Sequence, residues 1–252
     1  VEFSGGWDSR ATLVDGQWVE RRPRRPEVEA QLLRETVLMP WLATRVPLAV
    51  PIPEVVTASP LVVRHLLVPG EPLETPVAEQ GRSLGEFLHA LHACPVAKAA
   101  GFGFPGADRT LRARAADDRR FRAEVIPLVP QAYRARALAV LDAVREFPAD
   151  TVVHGDIGPE HVLAEGARVT GVIDFGDVHL GDEAIDLAWA LFGTPAAFAD
   201  AVAQAYGVTD AVRARAQVWH RLGPWHQVLY GADIGDPVVA KEGLAGVIER
   251  LS

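Results

Sequence analysis

Two aspartates, Asp156 and Asp174, stand 18 residues apart, and the residues between them leave little choice of local structure. Thr151-Val-Val153 leads into His154-Gly-Asp156, and two apolar β patterns, 162–164 and 169–173, flank the turn Glu165-Gly166. A hairpin this tight returns the chain to where it began, so both carboxylates are expected at neighbouring loop mouths. Paired carboxylates on short, strand-flanked loops suit phosphoryl transfer. One orients and deprotonates a hydroxyl, the other holds Mg²⁺ against the phosphates, and the rest of catalysis is positioning and charge neutralisation.

The remaining sequence divides unevenly around this hairpin. Residues 10–14 and 17–21 read as strands joined by Asp15-Gly16, a hairpin-favouring turn, and Val28, Leu32, Glu35 and Met39 mark a helix over 27–42. After a proline-punctuated connector at 47–53, residues 61–67 read as an apolar strand. Val68-Pro-Gly-Glu-Pro72 then interrupts all regular structure, which sets a boundary between a small β-rich lobe, 1–68, and a larger, mostly helical lobe, 69–252. Helices are expected at 84–93, across 109–147, and from 182 to 251, with breaks at Gly193-Thr-Pro195, Gly207, Gly223-Pro224 and Gly235-Asp-Pro237. The class is α+β.

Composition narrows the partners. With 25 bases against 33 acids the net charge is −8, which disfavours nucleic acid or an anionic membrane and favours neutral or cationic ligands. One cysteine, Cys94, excludes an internal disulfide and suits a reducing cytoplasm. No apolar run approaches the ~20 residues of a spanning helix. The only methionine is Met39, so Val1 reflects either an unusual start codon or a chain that begins part-way into a longer protein. The only lysines are Lys98 and Lys241.

His154-Gly-Asp156 and Ile173-Asp174-Phe-Gly-Asp177 resemble the catalytic and metal-binding loops of the aminoglycoside phosphotransferase family. The resemblance implies a bilobal protein-kinase-like fold and an enzyme that moves the γ-phosphate of ATP or GTP, with Mg²⁺, to a hydroxyl of a small molecule. Asp156 then corresponds to the base and Asp174 to a metal ligand. His161 stands where kinases generally have asparagine, which is similar to the aminoglycoside 2″- and macrolide phosphotransferase branches. It is read as a metal ligand, or as a hydrogen bonder behind a ligating water. His154 is expected to tie the catalytic loop to the Asp174 segment. The segment from Phe3 to Asp8, with Gly5 and Gly6, resembles the phosphate-covering loop, and 66–70, with Leu66 and Val68, the hinge that reads the purine edge. Both lysines fall too late for the strand that presents a lysine to the phosphates. An arginine is therefore expected there: Arg21, or Arg22 if the register slips, paired with Glu35 on the first helix.

For the acceptor, Asp177 and Glu183 are expected to contact substrate. They belong to an acidic cluster with Asp182, Asp186, Asp233, Asp236 and Glu242 that suits a polycationic aminosugar. Asp182 and Asp186 also fit a helix cap and a loop anchor. Trp225, with Trp219 and Tyr230, is expected to wall the pocket, and His89 and His92 to pack or cap. An aminoglycoside is the leading acceptor. A macrolide or a sugar or amino-alcohol metabolite is the alternative, and a catalytically silent nucleotide-binding protein is the reading from another class. A monomer or weak dimer is expected.

Overall fold

Asp15 and Gly16 both take positive φ, 52° and 68°, in a turn closed by the Gln17 N–H on the Val14 carbonyl at 3.2 Å; with Val14 opposite Trp18, residues 15–17 connect the strands, one residue more than the sequence reading expects. The computed structural model describes residues 2–3 and 8–252. Gly5 and Gly6 of the expected phosphate-covering loop lie outside the described residues. The turn joins β1 (Ser9–Val14) to β2 (Trp18–Pro23), and Glu2 bridges antiparallel to Thr12 on the free side of β1. α1 (Pro26–Leu42) follows, with proline in its first turn and Glu27 and Glu29 at its positive end. β3 (Glu54–Ala58) and β4 (Leu61–Leu66) complete a four-stranded antiparallel sheet in the order β1-β2-β4-β3. β3 is absent from the sequence reading because it is exposed throughout, so no alternation marks it. Val28 and Leu32 of α1 close against Leu61 and Val63.

Beyond Val68 the chain is more regular than its prolines suggest. β5 (Glu71–Pro72) pairs with β7 (Val162–Glu165), which pairs in turn with β8 (Arg168–Val172). α2 (Ala78–His92) begins six residues before the expected start, because the Gln80 side chain accepts the Val77 N–H at 2.9 Å and donates to the Gly166 carbonyl at 2.7 Å. α3 (Val96–Ala100), α4 (Ala107–Arg120), a π-helical turn over Phe121–Val125 and α5 (Gln131–Arg145) lead to β6 (Thr151–Val153). β6 pairs with β9 (His179–Gly181). α6 (Ala184–Phe192), α7 (Ala196–Tyr206), α8 (Asp210–Asp233) and α9 (Pro237–Leu251) finish the helical lobe.

The expected break at Gly223-Pro224 does not occur. α8 runs through it, with Leu222 and Trp225 buried among Val140, Leu141 and Val247 of the flanking helices. Packing on both sides outweighs the one backbone hydrogen bond that a proline removes. A second core joins α2, α6 and α7 to the β7–β8 hairpin through Leu84, Leu88, Val172, Leu187 and Phe198. Among the described residues no helix is long and apolar enough to cross a membrane.

The lobes meet at Gly171. Ala49 bridges parallel to it, and the Val172 N–H donates to the Ala49 carbonyl at 2.9 Å. A Cβ on Gly171 would stand 2.4 Å from Val68 Cγ1 and 2.6 Å from the Ala49 oxygen, so only glycine lets connector, hinge and hairpin approach this closely. Gly171→Ala is expected to cost about 1–3 kcal/mol, as overpacking does. Urea unfolding measures it, and a loss under a few tenths would show that Val68 gives way freely.

Candidate active site

The hairpin register pairs Val162 with Val172, and the Ile173 N–H donates to the His161 carbonyl at 2.9 Å. The Asp156 and Asp174 loops therefore lie side by side. His154 joins them: its Nδ1 accepts the Asp156 N–H at 3.2 Å, so Nε2–H donates to the Ile173 carbonyl at 3.0 Å. The ring is fully buried, and that burial lowers its pKa, keeping the tautomer these two bonds require. His154 ties the two loops together, as the sequence reading expects.

His161 stands between the carboxylates. Its Nδ1–H donates to the Asp156 carbonyl at 2.7 Å, which leaves Nε2 facing Asp174 Oδ2 at 3.6 Å. The Asp156 carboxylate is 3.7 Å from Nδ1. Asp174 is held at φ 64°, ψ 68°, a left-handed conformation costly for a residue other than glycine and typical of sites where neighbours dictate the backbone. Both carboxylate side chains are more than half exposed, 59% and 53%, so they are open to ligands. Among the described residues no three His, Cys, Asp or Glu side chains cluster as a metal cage. The Asp174 carboxylate offers the oxygen that Mg²⁺ prefers, with water and phosphate oxygens completing its shell, while the softer His161 nitrogen would serve directly or through a ligating water.

The catalytic loop is fastened from below by Asp186. Its carboxylate accepts the N–H groups of His154 at 2.7 Å and Gly155 at 2.8 Å, and His92 Nε2–H at 3.0 Å. Burial alone would raise this carboxyl, but the hydrogen bond and charge of His92, then His154 and the Gly155 amide, bring it below its ordinary value. His92 Nδ1 lies 2.8 Å from the Tyr206 hydroxyl, whose pKa is raised, by burial first and then by Glu183, Asp186 and Asp182. His92 thus does more than pack: it sets the orientation of Asp186. Gly155, at φ 89°, leaves no room for a Cβ, which would meet the Asp177 carbonyl at 2.7 Å.

In the small lobe, Arg21 donates to Glu35 at 2.5 Å and to the Ser9 hydroxyl at 3.1 Å. Burial raises Glu35, Arg21 opposes this, and the Asp174 charge adds to the rise. Arg22 pairs with Glu20 on the exposed face at 2.7 Å, the alternation that the strand period requires. Lys98 lies in α3 and Lys241 in α9, away from this strand. At the hinge Leu66 is exposed, its carbonyl 2.8 Å from His65 Nδ1, while Val68 is buried against Gly171.

A cleft of about 800 Å³ opens beside Asp156 and is lined by Asp177, Gly176, His179, Trp219 and Asp117 among others. Asp177 is raised by its enclosure there, then by Asp156, Asp174 and Asp8. Two expected contacts are corrected. Trp225 is fully buried with its ring 5.6 Å from Phe121, in the core beneath the cleft. Glu183 is bound to Arg215 at 2.7 Å and does not line it. The acidic cluster is likewise mostly consumed. Asp182 holds Arg215, Trp219 and the Ala184 N–H, Asp233 holds Arg120, and Asp236 caps α9. Tyr230 is absent from the lining, whereas Gln31, Arg34 and Arg109 belong to it. Gln31 shares a face of α1 with Arg34 three residues on and with Glu35 four residues on, and that helical spacing is the available signal.

The sequence profile of the Phosphotransferase enzyme family matches residues 1–225. The chain belongs to this family. This phosphotransferase is 34% identical over 211 residues to aminoglycoside 3′-phosphotransferase of Streptomyces fradiae, covering 75% of this chain and 73% of that one. A shorter match to viomycin phosphotransferase of Streptomyces vinaceus is 45% identical over 74 residues, 27% of this chain and 25% of that one. Among solved structures, a GDP and kanamycin complex of APH(2″)-IIIa superposes with a TM-score of 0.86 at 23% identity, covering 99% of this chain and 92% of that one. The macrolide 2′-phosphotransferase MphH of Brachybacterium faecium gives 0.77 at 26% identity, covering 98% and 90%. The fold is the bilobal protein-kinase-like one.

Because the native Asp186 carboxyl titrates below its ordinary value, the stability it contributes is complete above the unfolded value, about 4, and fades as pH falls through the native one. Asp186→Asn is expected to cost about 3–5 kcal/mol at pH 7, with the difference from wild type narrowing in acid. Urea unfolding across pH checks it, and a pH-independent difference would assign the loss to shape alone.

Proposed function

We propose that the protein transfers the γ-phosphate of a nucleoside triphosphate to a hydroxyl of a small antibiotic of the aminoglycoside class. The observation that carries this reading is the placing of Asp156 and Asp177 on one wall of the acceptor cleft, with Asp174 and His161 immediately behind. Asp156 accepts the proton of the acceptor hydroxyl, and its backbone is held at both ends by His154 and His161 so that the carboxylate keeps its aim. Asp177, crowded by other carboxylates, is relieved by an acceptor ammonium group. Arg21, held by Glu35 and Ser9, steadies the donor phosphates as a planar fork in place of the usual lysine point charge. The hinge around Leu66 and Val68 faces the base. Mg²⁺, which Asp174 and His161 would hold, supplies charge neutralisation on the phosphates when bound. The 34% identity to an aminoglycoside 3′-phosphotransferase supports the same class.

A macrolide acceptor is the second reading, favoured by Phe121, Leu141, Val144, Trp189 and Leu222 on the cleft wall. The experiment is nucleotide turnover with Mg²⁺, ATP or GTP, and kanamycin-, gentamicin- or erythromycin-type acceptors. Acceptor-stimulated release of diphosphate is expected with an aminoglycoside. Asp156→Asn should lower kcat by about 10²–10⁴ with little change in nucleotide affinity. Equal turnover would remove Asp156 as the base, and nucleotide binding with no stimulation by any acceptor would favour a silent nucleotide-binding protein. Arg21→Ala should weaken nucleotide binding about tenfold or more, the loss of a charge-assisted contact, while Arg21→Lys restores most of it. Unchanged affinity in both variants would take Arg21 out of the phosphate site.

A further inference from the structure

The acceptor cleft carries charge of both signs. The carboxylates of Asp156 and Asp177 stand on its loops and those of Asp117 and Asp118 on α4, while five arginines, Arg34, Arg109, Arg114, Arg145 and Arg250, line it from helices. Three of the five are spent on the protein. Arg114 donates to the carbonyls of Val144, Phe147 and Pro148, Arg145 to Asp118, and Arg250 to the His220 carbonyl. Arg34 and Arg109 have no side-chain hydrogen bond or ion pair among the described residues. They sit close enough to oppose each other: burial and then the charge of Arg109 lower the Arg34 guanidinium.

The surroundings of this pair offer donors. Arg109 lies in the first turn of α4, whose cap residue Gly106 makes no side-chain capping bond and has open space where a Cβ would be. Arg109 and Thr110 direct their own N–H groups to the Gly106 carbonyl. The N–H groups of Ala107 and Asp108 precede them at the positive end of the helix dipole. The buried Thr110 hydroxyl also lines the cleft and has no hydrogen-bond partner among the described residues. Two guanidiniums and a hydroxyl on the cleft lining make a site for an oxyanion.

We propose that Arg34, Arg109 and Thr110 form an oxyanion subsite in the acceptor cleft, between α1 of the small lobe and α4 of the large one, that takes a phosphate or carboxylate group on the acceptor-side ligand. The phosphotransferase reading enters only through the source of that group. An acceptor can carry it already, or the reaction can create it. In transfer the acceptor oxygen bonds to the γ-phosphorus, the bond to the β–γ bridging oxygen breaks, the hydroxyl proton passes to Asp156, and a phosphate monoester remains on the product.

The test uses the full chain saturated with Mg²⁺ and a nucleoside diphosphate, so that the nucleotide side is filled, and titrates inorganic phosphate by calorimetry. Saturable binding in the millimolar range is expected in wild type. Arg34→Gln and Arg109→Gln should each weaken it about tenfold, the loss of one charge-assisted hydrogen bond. Arg112→Gln, an exposed change on α4 outside the cleft, should leave it unchanged. Arg109→Lys, which keeps the charge without the fork, should fall between, and circular dichroism checks that each variant is folded. No saturable binding, or wild-type affinity in both glutamine variants, would overturn the subsite. Turnover separates the sources. Weaker product inhibition with an unchanged acceptor KM marks the product ester, while a raised KM confined to anion-bearing acceptors marks the acceptor. Variants that lose phosphate but move neither constant would overturn the assigned role. Failure of every acceptor would sink the acceptor class while the phosphate titration still decides the subsite.

Discussion

The active centre depends on one buried carboxylate. Asp186 has no solvent exposure, and every partner it has belongs to the catalytic loop or to His92. A carboxylate in that position must be compensated or it would take up a proton, and compensation comes from two backbone amides whose direction is thereby fixed. Those amides belong to the residues just before Asp156, so the aim of its carboxylate is set by α6 and α2 rather than by its own loop. His154 and His161 extend the same logic upward, each using one ring nitrogen to hold backbone and presenting the other to the neighbouring loop.

The distribution of charge is the second organising fact. A net charge of −8 suggests an acidic binding surface, yet most of the acids near the site are engaged by arginines, amides or the tryptophan indole. What remains in the cleft is a mixture of carboxylates, Asp156 and Asp177 on the loops and Asp117 on α4, facing guanidiniums on the helices. The scarcity of lysine has a counterpart here, since arginine holds Glu35 in the small lobe and also furnishes the cations of the cleft.

Local patterns in the sequence foretold most of what positions the site. Val162 to Ile173 announced a hairpin through alternation and a turn, and the period of two placed Arg21 against Glu35 while sending Arg22 outward. What escaped the sequence was decided by tertiary packing. The proline beside Trp225 implies a break and a place on the cleft wall, but α8 is continuous, and its packing against α5 and α9 puts the indole in the core. Glu183 looked like a substrate ligand until Arg215, 32 residues later, supplied its partner. β5 and β9 are two and three residues long, too short for any periodicity to register.

Gly171 gives the junction between the lobes an unusual mechanical character. The small lobe is joined to the large one covalently through Val68 and a second time through the backbone pairing of Ala49 with Gly171 and Val172. Two attachment points define an axis. Rotation about the line through Ala49 and Val68 would preserve the pairing, whereas sliding the lobes past each other would break it. Both attachments bear on β8, the strand that delivers Asp174. Any change in the angle between the lobes therefore bears on the strand that delivers Asp174.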